Sequence, residues 1–170
     1  MCIRDRVINA RMATMLYYAR RYEEALAQAE HILDLDSTFF HGHAEKVRAL
    51  VALRRCGEAL AIIEKDPPQL AAPFRGQRGS TFARCGHRDK AMAEVERLRA
   101  EAATGRYVTQ YAFASIFAAL GNKDEAIKEL DLAVDERAWP LFALRLEPDF
   151  DAFRSDPRFV RLLDRIGLKP

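Results

Sequence analysis

Apolar and polar residues along this chain recur with the period of an α-helix, in pairs of segments joined by short polar turns. The first segment has its apolar positions on one face of a helix over about residues 8–19: Met12, Leu16, and either Met15 or Ala19. The second segment repeats the pattern over about residues 23–34: Leu26, Ala29, Ile32 and Leu33. The connection between them, 20–22, is short enough to make the two helices antiparallel neighbours.

The pair of segments recurs along the chain, and four alanines mark the recurrence. Ala25, Ala59, Ala91 and Ala126 follow one another at separations of 34, 32 and 35 residues, each in a similar local phrase. A period of this length, with one helix on each side of a turn, is typical of arrays in which helical hairpins stack on their neighbours. The sequence therefore predicts an all-α solenoid of antiparallel helix pairs.

Small residues recur where two helix axes of a hairpin have to come close. Larger side chains at such a crossing would overpack it, at a cost of about 1–3 kcal/mol. The predicted packing positions are Ala13, Ala25, Ala59, Gly79, Ala91, Ala114 and Ala126.

Glycine and proline punctuate the pattern. Gly86 and Gly121 fall where the first helix of a hairpin should stop, and glycine tolerates the left-handed conformation that such ends adopt. The third hairpin is the weakest, because its first helix contains Pro73, Gly76 and Gly79, and we expect this helix to be short or irregular.

The C-terminal segment predicts a cap on the array. A stripe at helical spacing, bounded by Pro157 and Gly167, predicts a final amphipathic helix: Phe159, Leu162, Leu163 and Ile166. A preceding group of apolar residues is expected to fold back onto the last hairpin: Phe142, Leu144, Leu146, Phe150 and Phe153. In the segment between them, Asp156 and Arg158 predict a capped helix start with a local ion pair, rather than an anion site.

The residues around the recurring alanine resemble the tetratricopeptide repeat family, with Tyr22, Glu24, Ala25, Leu33 and Asp36 fitting best. The family's tryptophan in the first helix is absent. The resemblance implies a right-handed superhelical solenoid with capping helices at the C-terminus. The boundaries that follow are four hairpins over residues 7–137, at about 7–37, 38–68, 69–104 and 105–137, and a cap over 138–170.

Residues from about 105 to 168 resemble the C-terminal repeat region of bacterial regulators, in which such an array follows a winged-helix, cyclase or kinase domain. The stretches that carry the resemblance are 107–111, 118–121, 124–126, 148–151 and 154–159. Residues 1–6 look like the translation of a transposase-end adapter used in sequencing libraries. We therefore expect residues 1–6 to be a cloning or assembly scar. We also expect the chain to be the C-terminal part of a truncated signalling or transcriptional regulator.

The resemblance implies a concave groove lined by the first helix of each hairpin. The groove candidates by register are Thr14, Tyr17, His41, Arg48, Arg84, Tyr111 and Ser115. Since arginines and aromatic residues anchor interfaces, the expected function is recognition of a protein or peptide partner carrying acidic residues. The alternative is a structural domain that packs on a missing N-terminal domain or forms a homo-oligomer, which an exposed apolar patch near 12–18 would favour.

Composition and charge restrict the possible partners and the location of the protein. Lys+Arg 27 against Asp+Glu 25 gives a net charge of +2, which predicts no nucleic-acid partner for this fragment. No apolar run is long enough for a membrane span. Three cysteines show neither a paired framework nor metal spacing, so Cys56 and Cys85 are expected to be small buried fillers in a reducing, cytoplasmic compartment.

No catalytic motif stands in a supporting context, and we expect neither an enzyme nor a cofactor. The histidines His31, His41 and His43 are the one metal-like group. Two helical residues at i and i+2 point to different sides, so His41 and His43 should not chelate one ion together. A metal-dependent enzyme is the second and least favoured alternative.

Overall fold

The described part of the protein is built from helices joined by turns, and contains no strand. The structure is a computed structural model that describes residues 3–65 and 75–168, with side chains for 7–65 and 76–168. The chain divides into two compact units, Met1–Ala71 and Ala72–Pro170. The predicted boundary between the second and third hairpins, at 68–69, lies outside the described residues, as do the side chains of the expected scar at 1–6.

The first unit contains two helical hairpins. Within the described residues its helices are α1 (Ile3–Tyr18), α2 (Tyr22–Leu35), α3 (Phe40–Ala52) and α4 (Cys56–Lys65). α2 packs against α1 and α3, α3 packs against α4, and α1 also contacts α3.

The second unit contains two further hairpins and the C-terminal segment. Its described helices are α5 (Arg75–Arg84), α6 (Arg88–Ala103), α7 (Gln110–Ala119), α8 (Lys123–Asp135) and α9 (Pro157–Arg165), with 3₁₀ helices at Trp139–Ala143 and Pro148–Phe153 between α8 and α9. α7 packs against α5, α6 and α8, and α8 contacts α9.

All four hairpins turn in the same way. The residue five positions before each marker alanine has a left-handed backbone, with φ of 63° at Arg20, 61° at Arg54, 83° at Gly86 and 76° at Gly121. The next amide N–H donates to the carbonyl oxygen five residues before it in every case. These bonds are Arg21 to Leu16, Arg55 to Leu50, His87 to Phe82 and Asn122 to Phe117, at 2.8–2.9 Å. Such a bond closes the end of a helix by satisfying a carbonyl that the helix itself leaves open.

The sequence predicts a short or irregular α5, and in the structure α5 is short but regular, a continuous helix of ten residues. Its glycines are contact points: a Cβ added to Gly76 would lie 2.7 Å from the carbonyl oxygen of Ala112, and one added to Gly79 would lie 2.5 Å from Cδ1 of Ile116. The absence of side chains at Gly76 and Gly79 therefore lets α5 approach α7 closely.

The C-terminal segment closes the second unit with an aromatic cluster. Phe150, Phe153 and Phe159 are almost fully buried, with ring centroids 5.7–6.2 Å apart. Leu144 is buried with them, as predicted, but Phe142 and Leu146 are exposed, contrary to the prediction. The 3₁₀ geometry of this segment has a shorter period than the α-helix, so apolar spacing alone did not separate its two sides.

Candidate functional site

The predicted groove residues of the first unit meet around a buried carboxylate, Glu45 on α3. Oγ1 of Thr14 on α1 lies 2.9 Å from Oε1 of Glu45, and Nη1 of Arg48 lies 3.5 Å from the same oxygen. Oε2 of Glu45 is buried and has no hydrogen-bond partner among the described residues. Glu45 was not among the sequence candidates, although its i, i+3 spacing to Arg48 is a usable signal.

Arg48 is held on its other side by two tyrosines. Its guanidinium carbon lies 4.1 Å from the ring centroid of Tyr17 and 5.3 Å from that of Tyr18. A guanidinium stacked on aromatic faces beside a carboxylate has its charge compensated from within the molecule. Arg48 is therefore engaged by Glu45 and the tyrosines and is not presented to an acidic partner.

His41 lies at the N-terminal end of α3, with its ring 5.4 Å from that of Phe39. Partial burial of the ring lowers the pKa of His41, the charge of Arg11 lowers it further, and Glu45 opposes both effects. Nε2 of His43 lies 2.8 Å from the carbonyl oxygen of Ser37, away from His41. Within the described ranges no three His, Cys, Asp or Glu residues come together as metal ligands would.

In the second unit, two of the three predicted groove residues, Arg84 and Tyr111, contact the chain's own C-terminal segment. Arg84 on α5 forms an ion pair with Asp149, and the ring of Tyr111 on α7 meets that of Phe150 at 5.9 Å. Oγ of Ser115 donates to the carbonyl oxygen of Ala112 at 2.9 Å. The 3₁₀ helix Pro148–Phe153 thus contacts two of the side chains, Arg84 and Tyr111, that the sequence assigned to a partner.

The burial of the groove candidates differs from residue to residue. Thr14, Tyr17 and Ser115 are buried, so their side chains are not available to a bound peptide in this conformation. Of the seven candidates only His41 is exposed, while Arg48, Arg84 and Tyr111 are partly buried. The two arginines on which an acidic partner depended are both paired internally, and the geometry does not supply the charge that this partner would need.

The predicted helix-packing residues, by contrast, all lie inside their units. Each is buried, and every alanine among them is at most 1% exposed: Ala13, Ala25, Ala59, Gly79, Ala91, Ala114 and Ala126.

The most exposed apolar surface of the first unit lies on α1 and includes Met12 and Met15, which the sequence pattern placed on the apolar face of this helix. Ile8, Met12 and Met15 are 59%, 54% and 52% exposed and follow the i, i+4, i+7 spacing of one helix face. The buried face of α1 is instead formed by Ala10, Ala13 and Tyr17. We call Ile8, Met12 and Met15 the α1 stripe. The sequence signal for it was present, since α1 is apolar on two sides, but periodicity does not say which side has a partner.

A second exposed apolar group lies on the C-terminal segment. Trp139 and Phe142 are 63% and 53% exposed, and their ring centroids are 4.9 Å apart. The apolar pattern predicts that Phe142 packs against the last hairpin, so it does not predict the exposure of this pair.

The two described cysteines also differ from expectation. Cys56 and Cys85 are half-buried rather than fully buried, and both are disulfide-bonded. Disulfides are typical of oxidising compartments, so these residues do not support the reducing compartment inferred from the cysteine count.

None of the helices in the described ranges combines the length and the apolar character that crossing a bilayer demands. Comparison of the chain with protein-family models, with curated proteins and with solved structures found no significant match.

Proposed function

We propose that this chain is a non-catalytic helical-hairpin scaffold that associates with another helical protein segment through the α1 stripe. The observation that carries the proposal is the exposure of Ile8, Met12 and Met15 on one face of a helix whose opposite face is in the core. Three large apolar side chains on one exposed helix face are typical of a protein contact surface.

The repeated turns support the scaffold part of the proposal. In all four hairpins a residue at the same turn position has a left-handed backbone, and the same hydrogen bond closes the first helix, so the hairpin is a recurring unit. Recurring hairpins of this kind stack through neighbour contacts and present extended surfaces to other proteins. A tetratricopeptide-like array appended to a bacterial regulator would have this architecture.

The acidic-peptide groove is the weaker candidate. Arg48 is paired with Glu45, and Arg84 is paired with Asp149. To bind either arginine, a carboxylate of the peptide would have to displace Glu45 or Asp149. Exchanging one ion pair for another in this way adds little binding free energy.

A photo-crosslinking residue tests the proposal directly. It is placed at Met12 and, as a matched control, at Ala27, which is exposed on α2. In the native cells, residue 12 is expected to give an adduct whose cross-linked peptide has an amphipathic helical sequence, and residue 27 is not. No adduct at 12, or equal adducts at both positions, would refute association through the α1 stripe.

A further inference from the structure

The α1 stripe has a counterpart one period further along the first unit, and that counterpart is covered. Ile8, Met12 and Met15 lie 34 residues before Gly42, Lys46 and Ala49 on α3. A Cβ on Gly42 would lie 2.9 Å from Leu33 of α2, so this end of the α3 face is in close contact with α2. Ala49, at the other end, is completely buried.

An ion pair between α3 and α2 covers the middle of this face of α3. Nζ of Lys46 lies 2.9 Å from Oε1 of Glu30 on α2. The face of α3 that is equivalent to the α1 stripe therefore packs against the second helix of the preceding hairpin. On α1 the same face has no such cover among the described residues, since its three large side chains are more than half exposed.

From this equivalence we infer that the α1 stripe is the binding site of one amphipathic helix, which packs on α1 as α2 packs on α3. The inference depends on the proposed function and specifies the partner's chemistry. Met12 stands where α3 has Lys46, so the partner helix presents an apolar residue there and not a carboxylate. Ile8 stands where α3 has Gly42, so the partner helix presents a small residue at that crossing.

A second copy of this chain fits the stripe less well than such a helix. Three half-exposed side chains provide far less than the roughly 800 Å² that each partner buries in a stable interface. A single amphipathic helix can cover the stripe alone, as α2 covers the equivalent face of α3.

The test adds such a helix to the protein. A copy of residues 20–39, which contains α2 and its connection to α3, replaces residues 1–5 and is joined directly to Arg6, so that it stands one period ahead of α1. Alanine replaces the copy's equivalents of Glu30 and Leu33, to match Met12 and Ile8. The control extension has aspartate at the copy's equivalents of Ile32 and Leu33.

Hydrogen peroxide oxidation, followed by mass spectrometry, reports whether the stripe is covered. Met12 and Met15 are expected to oxidise about tenfold more slowly with the matched extension than with the aspartate control, which corresponds to about 1.4 kcal/mol. Met92, in the second unit, should oxidise at the same rate in both proteins. Equal rates at Met12 and Met15 would overturn the inference.

A dimer is the competing outcome. If sedimentation shows that the unextended chain is a dimer, and Met12→Lys makes it monomeric, the occupant is a second copy and the inference is wrong. Failure of the proposed function is separate from both results, because it is read from the absence of a cross-link at residue 12.

Discussion

The backbone of Gly76 on α5 lies directly against the backbone of Ala112 on α7. A Cβ added to Gly76 would lie 2.7 Å from the carbonyl oxygen of Ala112 and 2.8 Å from its Cα. Neither atom can move as the end of a flexible side chain would, so any residue larger than glycine forces the two helices apart.

Gly76→Ala is therefore expected to destabilise the protein by about 1–3 kcal/mol, the usual cost of overpacking a tight contact. Gly57→Ala on α4 is the matched control, because no atom lies within 4 Å of a Cβ at that position. Alanine has less conformational entropy than glycine in the unfolded chain, so Gly57→Ala should leave the stability unchanged or raise it by about 0.4–1 kcal/mol. Denaturant unfolding measures both, and equal effects would show that the α5–α7 crossing does not require glycine.

The left-handed turn residue of each hairpin provides a second prediction. Substitutions at two equivalent turn positions should change the stability of the protein in different directions. Gly121→Ala places a Cβ on a residue with φ of 76°, and should destabilise the protein by about 1 kcal/mol. Arg54 already has φ of 61° with a side chain, so Arg54→Gly removes that strain while adding unfolded-state entropy. We expect its stability to stay unchanged or rise slightly. A loss of stability in Arg54→Gly as large as that in Gly121→Ala would contradict a shared turn geometry.

These turns show how far the sequence predicts the fold. Gly86 and Gly121 indicated their turns by residue type, whereas Arg20 and Arg54 carry no left-handed signal and were located only through the period. The pattern placed Met12 and Met15 on an apolar face of α1, but it did not show that this face is exposed, because α1 is apolar on two sides. The Arg48–Glu45 pair follows from an i, i+3 spacing on one helix, but the pairing of Arg84 with Asp149 depends on tertiary folding, which no local pattern reports.

The ion pair of Arg48 with Glu45 yields a third prediction. Because Glu45 is buried and one of its oxygens already lacks a partner, a second carboxylate at position 48 should destabilise the first unit by about 1–3 kcal/mol.

Charge reversal at Arg55 is the control for this effect. Its pair with Glu58 is exposed on both sides, so Arg55→Glu is expected to change the melting temperature little. Adding Glu45→Gln to Arg48→Glu should restore part of the lost stability, since it removes the repulsion between two carboxylates. Thermal unfolding of the single and double variants measures this coupling, and strict additivity would mean that the two residues do not interact.

Acid sensitivity at the start of α9 yields the last prediction. Asp156 caps this helix by accepting from the backbone N–H of Arg158 at 2.9 Å, and its other oxygen pairs with the Arg158 guanidinium at 2.8 Å. The side-chain hydrogen bond from Arg158, followed by the backbone one, lowers the pKa of Asp156 to about 2. An ionised carboxylate that is stabilised in the folded state contributes stability above its unfolded pKa, near 3.9, and loses that contribution as the pH falls towards 2.

Asp156→Asn keeps an oxygen that can cap the helix but removes the charge. The melting temperature of this variant should lie below that of the wild type at pH 7, and the difference should shrink between about pH 4 and pH 2 as Asp156 becomes protonated in the wild type. Asp164→Asn, on the exposed side of α9, controls for the general effect of losing one negative charge. A difference for Asp156→Asn that stays constant down to pH 2 would mean that the ionised form of Asp156 gains nothing from Arg158 in the folded protein.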